Sequence, residues 1–205
     1  HVNRVASYAI EIYESWAHLQ GMDRVEIDRN RDILKMSAML HDVGKVAISD
    51  AILKKPGKLD DIEYATMKQH TYLGARLFAQ QRSDFDAAAF DIALNHHERW
   101  DGRGYPGFID WATGSTLPGY TEQRGCAPGK SGEEIPVFGR IVAICDVFDA
   151  LSSGRCYKDA WDEERVVEVM ADEKGKQFDP DMLEVFLSNL DIIRSIMQLY
   201  PESKG

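Results

Sequence analysis

VNRVASYAIEIYESWAHLQ (residues 2–20) places Val5, Tyr8, Ala9, Ile12 and Trp16 at three- and four-residue spacings, the period of a helix burying one face. Residues 30–42 repeat it with Ile33, Leu34, Met36 and Leu40. Gly44 and the KKPGK stretch at 54–58 mark a loop. Residues 60–81 predict a helix carrying Ile62, Tyr64, Met67, Leu73, Leu77 and Phe78. Asp84 or Asp86 is placed to cap the next, which runs to about Trp100. Helical spacing returns at 137–152 with Ile141, Ile144, Cys145, Phe148 and Leu151, although IVAI alone would also suit a strand. Two further helices are expected over about 162–174 and 180–199, the second with Pro180 in its first turn. The expectation is a single all-α domain covering residues 1–205.

Residues 101–136 break the pattern with eight glycines and four prolines. So long an irregular stretch in a small domain is usually functional. The remaining bulk properties exclude more than they identify. At 205 residues, with 44% hydrophobic and 28% charged, the chain has the composition of a globular protein with a sizeable core. It has neither an apolar run long enough to span a membrane nor a visible signal peptide. The chain starts at His1 rather than Met, so we expect a fragment of a longer protein, with a sensor or membrane anchor upstream. Cys126, Cys145 and Cys156 form no CxxC pair, which fits reduced thiols in a cytoplasmic protein. A net charge of −10 argues against a nucleic-acid polymer as partner. A small anionic substrate remains compatible where bound cations dominate the local field.

HDVGK (41–45) raises the chemical question, because buried ionisable neighbours need partners. Candidates are His1, His70, His96, His97 and Asp146, each at a helical location. Asp149 follows Asp146 by three residues, so one helix face presents both. Imidazoles and carboxylates without thiolates suit Fe, Mn, Zn or Ni. Adjacent ligand pairs fit two ions of a close pair. Lys45, a turn beyond His41, is placed to meet a phosphate as a point charge.

The order H…HD…H…HH…D resembles the HD-domain phosphohydrolases. HDVGKVAI (41–48), ILKKPGKL (52–59), HHERWDGRGYP (96–106), RIVAICDVFDAL (140–151) and RCYKDAW (155–161) resemble its HD-GYP subclass. The resemblance runs from His1 to about Pro180. It implies a metal-dependent phosphodiesterase that hydrolyses cyclic di-GMP, or 3′,3′-cyclic GMP-AMP, at two or three metals, Fe or Mn favoured. The implied ligands are His1, His41, Asp42, His70, His96, His97 and Asp146, with Asp42 and Lys45 in catalysis. Arg155 and Lys158 match family residues near the substrate phosphates, and Tyr105 is a candidate to stack on a guanine. His18 matches no motif and is expected to be a partly exposed helix residue. GGDEF-type or sensor-domain partners and a homodimer are also compatible with the resemblance. The third metal of some members is held by a glutamate one turn before the first histidine, a position upstream of His1, so the expected product is mainly linear pGpG with GMP slower. The alternatives are an HD phosphohydrolase of another nucleotide and a non-catalytic cyclic-dinucleotide binding module.

Two features depart from the family pattern. Residues 107–134 are an insertion between Gly-Tyr-Pro and the following Ile-Pro, expected to act as a mobile flap over the site. Cys156 stands where the family commonly has proline.

Overall fold

Helix α1 (Val2–Leu19) is the centre of the molecule and packs on four other helices. Its buried face is Val5, Tyr8, Ala9, Ile12, Tyr13 and Ala17, close to the set its periodicity predicts, while Trp16 is only partly buried. Around it lie α2 (Arg24–Ala38), α7 (Val137–Ser152), α9 (Pro180–Ser188) and α10 (Leu190–Leu199). Tyr8, Phe148 and Phe186 form an edge-to-face chain at 5.6 and 4.9 Å through this core. Each such fully buried side chain contributes about 1.5–3 kcal/mol. The computed structural model describes residues 1–122, 125–153 and 162–201. Among these residues the secondary structure is helical, with isolated bridges and no strands.

The remaining elements are α3 (Asp50–Leu53), α4 (Asp61–Lys68), α5 (His70–Arg76), α6 (Asp84–Asn95) and α8 (Glu163–Asp172), with 3₁₀ turns at Val43–Ala47 and Gly132–Glu134. The second helix starts six residues earlier than expected, because the Asp23 side chain caps it by accepting from Val25 N. Residues 44–58, expected as loop, contain the first 3₁₀ turn and α3. The helix expected over 60–81 is two helices meeting at Gln69, and the one over 180–199 is two meeting at Asn189. In the first case Ile62, Tyr64 and Leu77 are exposed, while α5 buries His70, Thr71, Gly74 and Ala75. A capping box of Asp60 and Glu63 starts α4. Helix α6 is capped by Ser83 rather than Asp84 or Asp86, and it ends at Asn95 rather than near Trp100.

The insertion does not stand off the body as a flap. Trp111 meets Phe90 of α6 edge to face at 5.8 Å, and Ile109 packs on the small cluster of Ala75, Phe90, Ala93 and Leu94. Both ends of the insertion are tied to one buried carboxylate. Glu98 accepts from Gly107 N at 2.6 Å and from Lys130 N at 3.1 Å.

Candidate metal centre

His41 and Asp42 follow the end of α2, His70 opens α5, His96 and His97 follow α6, Asp146 lies in α7, and His1 caps α1. The fold gathers all seven. Donor atoms of Asp42, His70, His96 and His97 lie within 4.8 Å of one another, as do those of His1, His41 and Asp42. Asp42 belongs to both sets. Asp146 joins them, its Oδ1 lying 3.4 Å from His1 Nε2 and 3.7 Å from His41 Nε2.

Helix ends aim three of the imidazoles. The last carbonyls of a helix lack intrahelical donors. Here carbonyls in the last turn accept a histidine ring N–H beside a backbone N–H: His41 Nδ1 donates to Ala38 O at 2.8 Å, His70 Nδ1 to Met67 O at 2.7 Å, and His96 Nδ1 to Ile92 O at 3.0 Å. A carbonyl only accepts, so each Nδ1 carries a proton and each Nε2 turns to the cluster.

A carboxylate does the same for His1. Asp149 Oδ2 accepts from His1 Nδ1 at 2.8 Å, and Arg4 grips both Asp149 oxygens, Nε to Oδ1 at 2.6 Å and a terminal nitrogen to Oδ2 at 3.0 Å. Arg4 also donates to the Tyr200 carbonyl at 3.0 Å. The end of α10 is thereby tied to the first ligand.

The remaining imidazole, His97, is set by the Gly-Tyr-Pro turn. A Cβ on Gly104 would lie 2.3 Å from Arg99 N and 2.5 Å from Glu98 Cα, so only glycine lets the turn press against the chain just after His97. Tyr105 then stacks on the His97 ring, centroids 4.8 Å apart and 27° between planes. Burial pushes the Tyr105 phenol up, and it stays neutral.

Burial lowers the pKa values of His70, His96 and His97, the last to about 3, and a neighbouring imidazole adds to the effect at the latter two. All three are neutral, the form that ligates. At Asp42 burial opposes ionisation, but His41 beside it prevails and holds the carboxyl well below the usual range. Burial is likewise outweighed at Asp146, by the hydrogen bond from His1. His1 is raised to about 9 by Asp146 and Asp149.

Two atoms show that the cluster fits an ion. His41 Nε2 and Asp42 Oδ1 are buried without a hydrogen-bond partner. An unsatisfied buried polar group costs about 1–3 kcal/mol, and a coordinated cation removes that cost. The donors are nitrogen and oxygen, while Cys126 is exposed and Cys145 is buried outside both donor sets. The residues present fit a divalent metal.

Lys45 is half exposed and ion-pairs with Asp42 rather than standing free. His18 is exposed and contacts Arg24. Arg155, Lys158 and Cys156 lie outside the described residues. Sequence reasoning missed Arg4 and Glu98 and assigned no role to Asp149. Their signal was weak: an arginine one turn after His1, and acidic residues one to three positions beyond a ligand.

The chain belongs to the HD domain family, whose description matches residues 1–151, with a second HD domain description over residues 122–182. Among curated relatives, 3′3′-cGAMP-specific phosphodiesterase 2 of Vibrio cholerae serotype O1 is 39% identical over 202 residues, 98% of this chain and 33% of that protein. A cyclic di-GMP phosphodiesterase of the same organism is 37% identical over 193 residues, covering 92% of this chain and 35% of that protein. One from Thermotoga maritima is 36% identical over 171 residues, 83% of this chain and 40% of that protein. The chain spans about a third of the length of the first two relatives. A crystal structure of a cyclic GMP-AMP specific phosphodiesterase of V. cholerae shares the fold at a TM-score of 0.55, over 98% of this chain and 49% of that one, with 20% identity. The HD-GYP resemblance agrees with these relatives. Among the described residues no helix is long and apolar enough to cross a membrane.

Proposed function

We propose that this chain is the catalytic domain of a metal-dependent phosphodiesterase that opens a cyclic dinucleotide, cyclic di-GMP first and 3′,3′-cyclic GMP-AMP second, to its linear form. The observation that carries the reading is the convergence of seven imidazole and carboxylate side chains whose rings are aimed by helix-end carbonyls, Asp149 and Tyr105. The names of the relatives support the substrate class. His1, His41, Asp42, His70, His96, His97 and Asp146 would hold at least two ions, Asp42 belonging to both donor sets. The HD-GYP resemblance favours iron or manganese, and the nitrogen and oxygen donors are compatible with zinc or nickel as well. When bound, the ions supply Lewis-acid polarisation of the phosphodiester and a water of lowered pKa.

The protein's own groups do the rest. Only two of the seven donors are anionic, so the loaded site is net positive and draws a phosphodiester. Asp42 orients the attacking water. Lys45 stands beside Asp42 and offers its ammonium to the substrate phosphate. Arg155 and Lys158 add phosphate contacts in this reading, and Tyr105 fixes His97.

The test is chromatography of products after anaerobic reconstitution with Fe(II) or Mn(II). The panel is cyclic di-GMP, 3′,3′-cyclic GMP-AMP, cyclic di-AMP and mononucleotides. Appearance of the linear dinucleotide from the guanine-containing substrates supports the proposal. Binding without turnover would make the chain a binding module, and hydrolysis of mononucleotides alone would make it a different HD phosphohydrolase.

A further inference from the structure

Tyr105, whose ring stacks on His97, also lines a cavity of about 460 Å³ walled by α4, α5, the Gly-Tyr-Pro turn and the insertion. Its volume is that of a small-ligand site. The ring of Tyr64 stands at 76° to that of Tyr105, centroids 6.5 Å apart, so the two make a corner of aromatic faces. Tyr64 is 49% exposed, which for a large ring on a short helix leaves an accessible stacking surface. Lys68 Nζ sits over both rings, 5.3 Å from the Tyr64 centroid and 5.8 Å from that of Tyr105. Its polar neighbour is the Cys126 thiol at 3.8 Å, and among the described residues Lys68 forms no ion pair. The insertion adds one carboxylate, Glu122, which lines the cavity and accepts from Thr116 Oγ1 at 2.8 Å.

These groups sort by what they recognise. An aromatic corner takes a flat heteroaromatic ring. A carboxylate accepts from N–H donors on that ring's edge and repels acceptors there. A free ammonium takes a phosphate or a carbonyl oxygen. Guanine presents an N1–H, an N2 amino group and an O6 carbonyl, whereas adenine presents an acceptor at N1, which a carboxylate opposes. The ring stack of Tyr105 on His97 places this cavity next to the cluster, so a base held there belongs to a nucleotide whose phosphate faces the ions.

We propose that this cavity is a guanine subsite, with Tyr64 stacking the base, Glu122 reading its N–H edge and Lys68 offering the cation. The insertion thereby sets base preference, a role that rests on the diesterase reading above for its substrate but not for its test. GMP and AMP are titrated calorimetrically into the protein and into Tyr64→Ala and Glu122→Gln, each checked for an unchanged thermal midpoint. The expected result is GMP bound in preference to AMP, about tenfold weaker binding of both in Tyr64→Ala, and loss of about tenfold discrimination in Glu122→Gln. Absence of GMP binding, or variants that bind as the parent does, would overturn the subsite. Turnover of cyclic di-GMP is followed separately. Guanine-selective binding that depends on Tyr64 in a protein without turnover would keep the subsite and sink the diesterase reading. Turnover with unaltered GMP binding in both variants would do the reverse.

Discussion

Gly44→Ala should damage the metal centre without touching a ligand. Gly44 has no positive φ, so the backbone accepts alanine and the effect is purely one of space. A Cβ there would lie 1.9 Å from the His70 carbonyl oxygen and 2.5 Å from Gly74 N. Relaxed non-bonded contacts sit near ~3.5 Å, so the segments must part by more than about 1 Å. The atoms that clash are backbone, which no rotamer change relieves. One side of the clash carries His41 and Asp42, and the other carries His70. Their donor atoms now fit within the 4.8 Å clusters, and coordination bonds tolerate displacements of only about 0.2 Å. The expected cost is about 1–3 kcal/mol in stability, the scale of overpacking. Metal affinity should fall by at least ~10- to 100-fold, the scale seen when the support of a metal ligand is lost. Urea melts followed by circular dichroism read the first quantity, and metal retained after dialysis against graded chelator reads the second. A variant with the parent's midpoint and full metal retention would refute the claim that close approach of these backbones builds the site.

His41→Ala or Asp42→Ala should abolish turnover and deplete metal while far-UV dichroism stays near that of the parent, and near-normal activity in either would remove it from the ligand set. Asp149→Asn keeps the shape beside His1 but removes the negative charge that faces His1 Nδ1, so a chelator titration should show ~10- to 100-fold weaker metal retention; retention equal to the parent would make the contact merely structural. Asp179 both caps α9 and pairs with the largely buried Arg140 at 2.6 Å, and neither residue belongs to the donor sets. Asp179→Ala should lower unfolding free energy by about 3–5 kcal/mol, with metal content of the folded fraction unchanged. A smaller loss than about 1 kcal/mol would show that solvent reaches Arg140.

Periodicity revealed α1 almost to the residue because it buries one continuous stripe, and α7 because its apolar residues run unbroken through a helix buried on several sides from Ile141 to Cys145. It missed the start of α2, where Arg24–Arg29 buries only Ile27 and the signal was the cap at Asp23. It ran two helices together at Gln69 and again at Asn189, since apolar spacing continues across each joint and Gln69 itself keeps helical backbone angles, φ −64° and ψ −20°. The ligands were legible because their residue types are rare side by side in a core. What holds them was not. Backbone carbonyls at helix ends carry no side-chain signature, so the aiming of His41, His70 and His96 left no trace in the sequence. The Gly-Tyr-Pro turn was visible as a motif, but its use, a close glycine that lays Tyr105 on His97, needs three dimensions. The insertion read as a flap because glycine and proline mask the few apolar residues, Ile109 and Trp111, that anchor it on α6.

Seven side chains from five segments converge on one site proposed to hold more than one metal ion. Elemental analysis of anaerobically reconstituted protein, paired with the same measurement on Asp42→Ala, tests it most directly because Asp42 belongs to both donor sets. At least two iron or manganese ions per chain are expected, with occupancy of both positions lost together in the variant. One ion or none in the parent, or a variant that keeps two, would contradict it.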